Sequence, residues 1–556
     1  MKKVPSKLPS LTFKFSDLFS VDYYLITPLL IFLPALIYWQ VYDFEFLWDD
    51  DNGKGMGHMF NAFVLNPTLE NLSELFLKPF FGMYIPVSYF LWGVLKSLAD
   101  LLSLSPNGVL HLSNVVIHVA NGLLVFVILR QFIANKWAVL VGVLFFLLHP
   151  IQVEAVAWVS EFRGLLASFF SLLSLYWYMK NKAELSYWSL LFLLLALLSK
   201  PSAVVLVLFV FLINHFHYHF SLKNNIYKTL PFAIIALCMV IVAYLIQSKY
   251  ALNFSEYLIP FWQRPFAWLD SIIFYSYQLI FPYNLSASYA LSPQFIIQQW
   301  WFYPLSLIPL LAGWALYLVR HKYPLLVFSV LLFIAGFFTT SGLVSFAFQK
   351  YSLVADRYLY LSMMGVGLFV ASILAKTDKK QLWFLLSGIV LVYGSLSAFR
   401  QIPIWQSPID LWVHSQQFEV NSSYAQGNAH ESLQASYYNK GLAFANAGDI
   451  QQALEYFDKV IANYSTNRPY ELKHSDLFYN RGIIMFRQKK YQQALENFNQ
   501  AIKIKPKNIA AYNGKIVMFI DLKQCKKSWD EIQKMREKQI KIPKDLLATL
   551  QRVCKK

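Results

Sequence analysis

Three consecutive carboxylates, Asp49, Asp50 and Asp51 in "FLWDDDNGKG", follow an apolar stretch that ends near residue 42. Charges crowded at a membrane surface repel one another and repel an anionic bilayer, so a solvated acidic turn is one reading. The other is chemical. A carboxylate fixed at the boundary by Trp48 can take a proton from an acceptor hydroxyl, or share a cation with its neighbours.

A second set lies in "VLHLSNVVIHVANGLL", where His111, Asn114, His118 and Asn121 fall on one face of a helix. Polar groups within an apolar span cost free energy unless they face a cavity or a partner. The pattern therefore predicts either a polar cavity or helix–helix hydrogen bonds. No carboxylate shares the face, which argues against a metal site there. "HPIQVEAVAWVSEFRG" adds His149, Glu154, Glu161 and Arg163, and Lys200, Arg264, Lys350 and Arg357 fall on the same side of the membrane in the topology below. That is the side on which basic residues are disfavoured. Cations kept there predict an anionic ligand, most simply a lipid phosphate. In "NHFHYHF" the i, i+2 spacing of His215, His217 and His219 points successive rings apart on a helix, a poor metal cluster. A glycine-rich phosphate loop, a nucleophile elbow and a nucleic-acid module are all lacking, so nucleic acid is not the expected partner.

The elements that must position these residues are membrane helices. The chain of 556 residues is 57% apolar and only 14% charged, with positive mean hydropathy, whereas soluble domains carry about a quarter charged residues. Apolar runs lie near 24–42, 108–129, 137–149, 164–179, 185–199, 202–219, 229–247, 301–319, 325–343, 357–375 and 382–398, eleven expected spans. The first follows Lys2, Lys3, Lys7 and Lys14 and shows no cleavage site, so it reads as an uncleaved anchor. With the N-terminus cytoplasmic, every inner turn is basic: Arg130/Lys136, Lys180/Lys182, Lys223/Lys228, Arg320/Lys322 and Lys376/Lys379/Lys380. An odd count places the C-terminal segment outside. Residues 265–282 are interrupted by Asp270, Ser271 and Gln278 and are expected as an outer interfacial helix, as are residues 84–102 with Ser88, Lys96 and Asp100. Both belong to long outer loops, about 43–107 and 248–300.

The expected organisation is a membrane domain over 1–400, a linker over 401–430 and a repeat domain over 431–556. In the repeat domain "YYNKGLAFANAGDIQQALEYFDKVI" aligns with "FYNRGIIMFRQKKYQQALENFNQAI", matching Gly441 to Gly482, Ala453 to Ala494 and Phe457 to Phe498. Small residues at these offsets let paired helices approach closely, the tetratricopeptide pattern. A fainter third copy, with Ile516, Ser528 and Ile532, reads as a degenerate capping repeat. From Tyr424 onward there are 23 Lys and Arg against 12 Asp and Glu, so most of the chain's net charge of +17 sits in this segment. Cys238, Cys525 and Cys554 show neither metal spacing nor a disulfide framework and are expected unpaired.

Taken in order, "FLWDDD", "HPIQVEAVAWVSE", "LLSKPSAVVL", "RPFAWLDSIIFYSYQLIFPYNLSASY", "VADRYLY" and "IWQSPIDLWVHS", followed by the repeats, give a chain that resembles the bacterial relatives of the transmembrane and tetratricopeptide repeat O-mannosyltransferases. These belong to the GT-C membrane glycosyltransferase superfamily. The resemblance implies an all-α GT-C bundle in the bacterial inner membrane, with an α-solenoid of repeats outside. It implies transfer of a sugar, of the hexosyl or mannosyl class, from a polyprenyl-phosphate donor to a hydroxyl acceptor, protein or glycan, held by the repeats. An acidic residue of the first outer loop would be the base, which maps onto Asp49 or Asp50, with Asp51 extra. Arg163, Lys200, Arg264 and Arg357 would meet the donor phosphate, and His111, Asn114, His118, His149 and Glu154 would line a polar cavity. Neither a nucleotide nor a redox cofactor is needed for such a leaving group, and a divalent metal is not indicated. Two departures touch the donor side. After Glu161 the family shows a basic pair and then an acid, where this chain has Phe162, Arg163 and Gly164, and the proline that usually ends the "KP" motif is Val207 or a neighbour. Two other readings compete. An O-antigen-ligase-like transferase would place its essential residues in a late outer loop and would not need Asp49 or Asp50. A non-enzymatic assembly scaffold would have no use for the polar helix face and the outer cations.

Overall fold

The computed structural model describes residues 13–50, 57–250, 259–340, 342–343, 347–377, 380–418, 433–434, 437–442, 444–462 and 474–554. Asp51 lies outside them, and the side chain of Lys350 is not described. Among the described residues the chain is helical throughout and forms no strand; an isolated bridge pairs Phe80 with Met83. It divides into two compact units, Met1–Ala429 and His430–Lys556.

In the first unit each of the eleven apolar runs becomes helix. Among the described residues five helices are long and apolar enough to cross a membrane: Ile26–Asp43, Pro106–Leu129, Leu222–Ile246, Phe302–Val319 and Gln381–Trp405. A sixth candidate is the pair Lys136–Leu148 and Pro150–Ala157, bent by 47°. Four more apolar helices, Tyr187–Ser199, Pro201–Phe216, Pro324–Gly336 and Met363–Lys376, are shorter. Phe162–Lys180 is 19 residues long but carries Arg163 and Lys180 and is less apolar. Pro106–Leu129 and Leu222–Tyr250 extend beyond their apolar runs, whereas some other runs are longer than the regular helix they make. Pro201, for example, opens a 3-10 turn over Pro201–Val205 before the helix Leu206–Phe216 begins, because proline cannot continue a preceding helix.

Burial orders these helices. Pro106–Leu129 is 72% buried within the protein, whereas Phe302–Val319 is 11% and Gln381–Trp405 17% buried. Apolar helices left uncovered by protein need another apolar medium, which a bilayer provides. Pro106–Leu129 is the central strut, packed against Phe162–Lys180, Lys136–Leu148 and Ile26–Tyr38. Gly142 and Gly367 let Lys136–Leu148 and Met363–Lys376 meet backbone to backbone, since a Cβ on Gly142 would lie 2.2 Å from the Gly367 carbonyl oxygen. The residues expected as interfacial helices form Pro86–Leu101 and Arg264–Ile280.

The expected linker is in large part not a linker. Ile402–Trp405 and Pro408–Phe418 are helical, and Trp405 and Trp412 are buried. Trp405 stacks on Trp158 and Trp412 meets the edge of Trp48, so aromatic burial binds this segment to the membrane unit.

The second unit is a solenoid of helix pairs. Helical residues 437–442 and 444–447 pair with Ile450–Ala462, then His474–Arg487 with Tyr491–Ile504, and Ile509–Asp521 with Cys525–Glu537. A Cβ on Gly441 or Gly482 would come within 2.5 or 2.7 Å of the Phe457 or Phe498 ring, which is why the repeat keeps glycine there. Two expectations change. The third copy is a full helix pair rather than a degenerate cap, and Gly514, two residues before the aligned position, lets its first helix close on Phe498 of the preceding pair. The cap is a further helix, Lys544–Val553, with Leu550 and Cys554 buried against Tyr512 and Ile532. Cys525 and Cys554 are not free but joined as a disulfide. Only Cys238 remains unpaired among the three.

Candidate active site

The site is built on a break in the helical bundle. Pro150 stops Lys136–Leu148, and the chain crosses through two short turns, Val153–Ala157 and Val159–Glu161, before Phe162–Lys180 begins. Such a break leaves carbonyls without helical partners, and buried carbonyls need donors. The polar face of Pro106–Leu129 supplies them. His111 donates from Nδ1 to Ala157 O (2.9 Å), and Asn114 from Nδ2 to Val156 O (3.2 Å) and Trp158 O (2.7 Å). His118 Nε2 faces Leu147 O at 3.0 Å and must donate, so its Nδ1 accepts from the Tyr360 hydroxyl at 2.8 Å. Asn121 reaches Leu165 O and the same hydroxyl, each at 3.0 Å.

His111, Asn114 and His118 are completely buried. They are struts that hold the broken segment, and the cavity-lining role expected of them gives way to these bonds. His149 caps the break through Ile151 N (3.3 Å) and bonds Leu279 O (3.1 Å), beside a narrow crevice shared with Pro282 and Tyr393.

Asp49 and Asp50 sit on a separate turn that packs against the broken segment. Trp48 takes a left-handed backbone (φ 51°) and stacks on Trp158 at 4.8 Å, which turns Asp49 and Asp50 inward. Gly57 brings the chain back so tightly that a Cβ would lie 2.5 Å from Asp50 O; its φ of +151° lies where only glycine is at ease. Asp50 is fully buried. It accepts from Leu47 N at 3.0 Å and from the Ser160 hydroxyl. Burial pushes its carboxyl up to about 7 against these two bonds. Asp49 differs: 30% of its side chain stays exposed, and Arg163 Nη2 stands 3.8 Å from Oδ2. Loss of water raises its carboxyl as well, with Arg163 and Arg357 opposing and Glu161 adding to the rise.

Three cations from distant parts of the chain converge on this segment. Lys200, at the end of Tyr187–Ser199, bonds both oxygens of Glu161 at 2.7 and 3.0 Å. Arg163 Nη2 and Arg357 Nε stand 3.8 and 3.9 Å from the same carboxylate. Burial pushes Glu161 up, but Lys200, Arg163 and Arg357 together outweigh it and hold the group below the usual carboxylate range. Burial lowers the Lys200 ammonium, with Glu161 opposing. Arg357 also takes Glu154, through its backbone N (2.9 Å) and its guanidinium, and lies among the rings of Phe348, Tyr358, Trp48 and Trp158. Gly164 leaves room for the cluster, since a Cβ there would meet Glu161 Oε2 at 2.5 Å and Lys200 Nζ at 3.1 Å.

Of the four expected phosphate ligands, Arg163, Lys200 and Arg357 are thus together. Arg264 stands apart: its Nε bonds Ile259 O at 3.1 Å and its guanidinium lies over Phe261. The outward charge that grouped it with the others marks a side of the membrane, not a distance. His58 and Tyr89 enter the site without having been foreseen. His58 Nε2 meets Arg163 Nη1, and its Nδ1 meets the Tyr89 hydroxyl, both at 2.7 Å. No sequence spacing links residues 58, 89 and 163. Among the described residues no group of three His, Cys, Asp or Glu side chains could hold a metal ion.

The arrangement offers a partly exposed carboxylate at the edge of a water-poor cluster whose cations are close at hand. That is suited to removing a proton from a hydroxyl while negative charge gathers nearby. A tetratricopeptide repeat family model matches residues 432–507. No curated protein and no solved structure matches the chain.

Proposed function

We propose that the membrane unit is a glycosyltransferase. It moves a sugar from a polyprenyl-phosphate donor to a hydroxyl acceptor, protein or glycan, on the extracytoplasmic face of the bacterial inner membrane. In this reading the helices of the first unit form an eleven-span GT-C bundle with the N-terminus inside, and the repeats outside hold the acceptor. The observation that carries the reading is the gathering of Arg163, Lys200 and Arg357 around Glu161 of the broken segment, with Asp49 beside Arg163 at its edge. A scaffold would have no need of a buried cation cluster, which costs free energy to desolvate. The Cys525–Cys554 disulfide supports an outer location for the repeats, because such bonds persist in oxidising compartments.

Asp49 is the base, since its carboxylate is the more exposed of the pair, and Asp50 positions it. Asp49 takes the proton of the acceptor hydroxyl. The oxygen attacks the anomeric carbon, the carbon–oxygen bond to phosphate breaks, and the lipid phosphate leaves toward the cations. The proton then passes from Asp49 to solvent. Mass spectrometry of surface glycans and glycoproteins, comparing a deletion strain with strains complemented by wild type or Asp49→Asn, tests this. The Asn variant should accumulate normally in the membrane yet lose product about 100-fold or more. Wild-type product levels with Asp49→Asn would refute the assignment, and an unchanged glycan profile on deletion would refute the function.

A further inference from the structure

His58 touches a cation of the site, Arg163. It is completely buried, ringed by Phe81, Tyr89 and Trp92 with centroids 5.1, 5.7 and 5.8 Å away. Its two ring nitrogens have fixed partners. Arginine only donates, so Nε2, 2.7 Å from Arg163 Nη1, must accept. Nδ1 therefore carries the proton and donates to the Tyr89 hydroxyl at 2.7 Å. The ring is neutral in this arrangement, and burial together with Arg163 holds its proton affinity well below the usual histidine range.

Arg163 depends on that contact. Its side chain is only 6% exposed, and its Nε has no hydrogen-bond partner among the described residues. Nη1 also meets the Met83 sulfur at 3.0 Å, a weak acceptor. Its carboxylate neighbours, Asp49 and Glu161, both stand at 3.8 Å from Nη2, beyond a good hydrogen bond. The bond to His58 is thus the shortest that orients the guanidinium. Without it, Arg163 could swing onto Glu161 and leave Asp49.

We propose that His58 is a positioning residue, which with Tyr89 behind it fixes the Arg163 guanidinium beside the Asp49 carboxylate. The inference rests on the transferase reading for its catalytic meaning, but the positioning itself does not. The groups that face Asp49 are Arg163 and Arg357, which favour its ionised form, and Glu161 and Asp50, which oppose it. Release of Arg163 removes one of the favourable pair. The acidic limb of the rate profile should then move to higher pH.

Two readouts on the full-length protein separate the positioning from the function. The first is the rate at which phenylglyoxal modifies Arg163 in membranes, followed by peptide mass spectrometry. Modification should be slow in wild type and in His58→Gln, whose side-chain oxygen replaces Nε2 as acceptor. It should be about 10-fold or more faster in His58→Phe, and intermediate in Tyr89→Phe, which preserves the packing. The second is the pH profile of formation of whichever glycan the deletion strain lacks. Transfer should fall about 10- to 100-fold in His58→Phe, with the acidic limb raised by about one pH unit, and recover in His58→Gln. Equal modification rates in wild type, His58→Phe and Tyr89→Phe would overturn the positioning whatever the enzyme does. Altered modification in a protein whose deletion changes no glycan would uphold the positioning and overturn the transferase reading. A His58→Gln variant as defective as His58→Phe in both readouts would also overturn it, since the acceptor atom would then not matter.

Discussion

Asp50 makes the strongest quantitative case, because its carboxyl is sealed from water yet bonded on both oxygens. Burial lifts it from 3.8 to about 7, a rise of about three pH units at about 1.4 kcal/mol each, or about 4 kcal/mol. The sign follows from linkage. A carboxyl whose folded value is raised binds its proton more tightly in the native state. Its contribution to stability is therefore complete below about pH 4 and lost as pH rises to about 7. Asp50→Asn has no proton to lose. The variant should thus be close to wild type, or slightly less stable, at about pH 4, and should overtake it as pH rises. For a unit of this size about 4 kcal/mol corresponds to a change of roughly 4–8 °C in the difference between the two melting temperatures. Intrinsic tryptophan fluorescence of the full chain in detergent can follow it, since Trp158, stacked on Trp48, lies two residues before Ser160, the partner of Asp50. Comparing the variant with wild type at each pH cancels the titration of groups that do not interact with Asp50, leaving Asp50 and its neighbour Asp49. If wild type instead gains on Asp50→Asn with rising pH, the carboxylate is stabilised by its two bonds and the argument from burial is wrong.

Removal of Arg357 should be felt in folding as well as in transfer. Arg357→Gln leaves Glu154 buried without its cation and should cost about 3–5 kcal/mol, seen as loss of monodisperse protein on gel filtration. Arg357→Lys should fail to restore it, because an ammonium cannot serve Glu154 while stacking among Phe348, Trp48 and Trp158; full recovery with lysine would contradict the geometric account. The repeat unit offers a test of side. Denatured without reductant, the mature protein should take up one maleimide-polyethylene glycol tag, at Cys238, and three after reduction. Three tags without reduction would mean free thiols and a reducing compartment.

Much of the architecture could be read from residue order. Each apolar run proved helical, and Gly441, Gly482, Phe457 and Phe498 gave both the repeat and its packing. Periodicity sees what lies within one element, so the polar face of Pro106–Leu129 was legible as a face. Its purpose was not, because most of its partners are carbonyls of residues 147–158, at and beyond the break at Pro150. Choosing between Asp49 and Asp50 likewise required the turn at Trp48, whose left-handed backbone sends one carboxylate to Ser160 and the other toward Arg163. Cys525 and Cys554 are 29 residues apart and meet through a capping helix that no repeat signature announces. His58 reaches Arg163 across 105 residues of sequence. Contacts of that kind leave no local trace.

The balance of charge in the cluster bears on how the proposed reaction could run there. Asp49, Asp50, Glu154 and Glu161 face Arg163, Lys200 and Arg357, and each of these cations already has a carboxylate within 4 Å. A donor phosphate would therefore enter a site with no spare positive charge, which would be unfavourable if every carboxylate kept its charge. Asp50 offers one way out, since a carboxyl raised to about 7 can take up a proton near neutral pH. Asp49 offers the other during the reaction itself. When the acceptor's proton moves to Asp49, that carboxylate becomes neutral, and as the bond to carbon breaks the phosphate gains about one negative charge. The total is unchanged, but the charge has passed from one side of Arg163 to the other. Arg163, 3.8 Å from both Asp49 and Glu161, is then released by the first at the step when the leaving phosphate needs it.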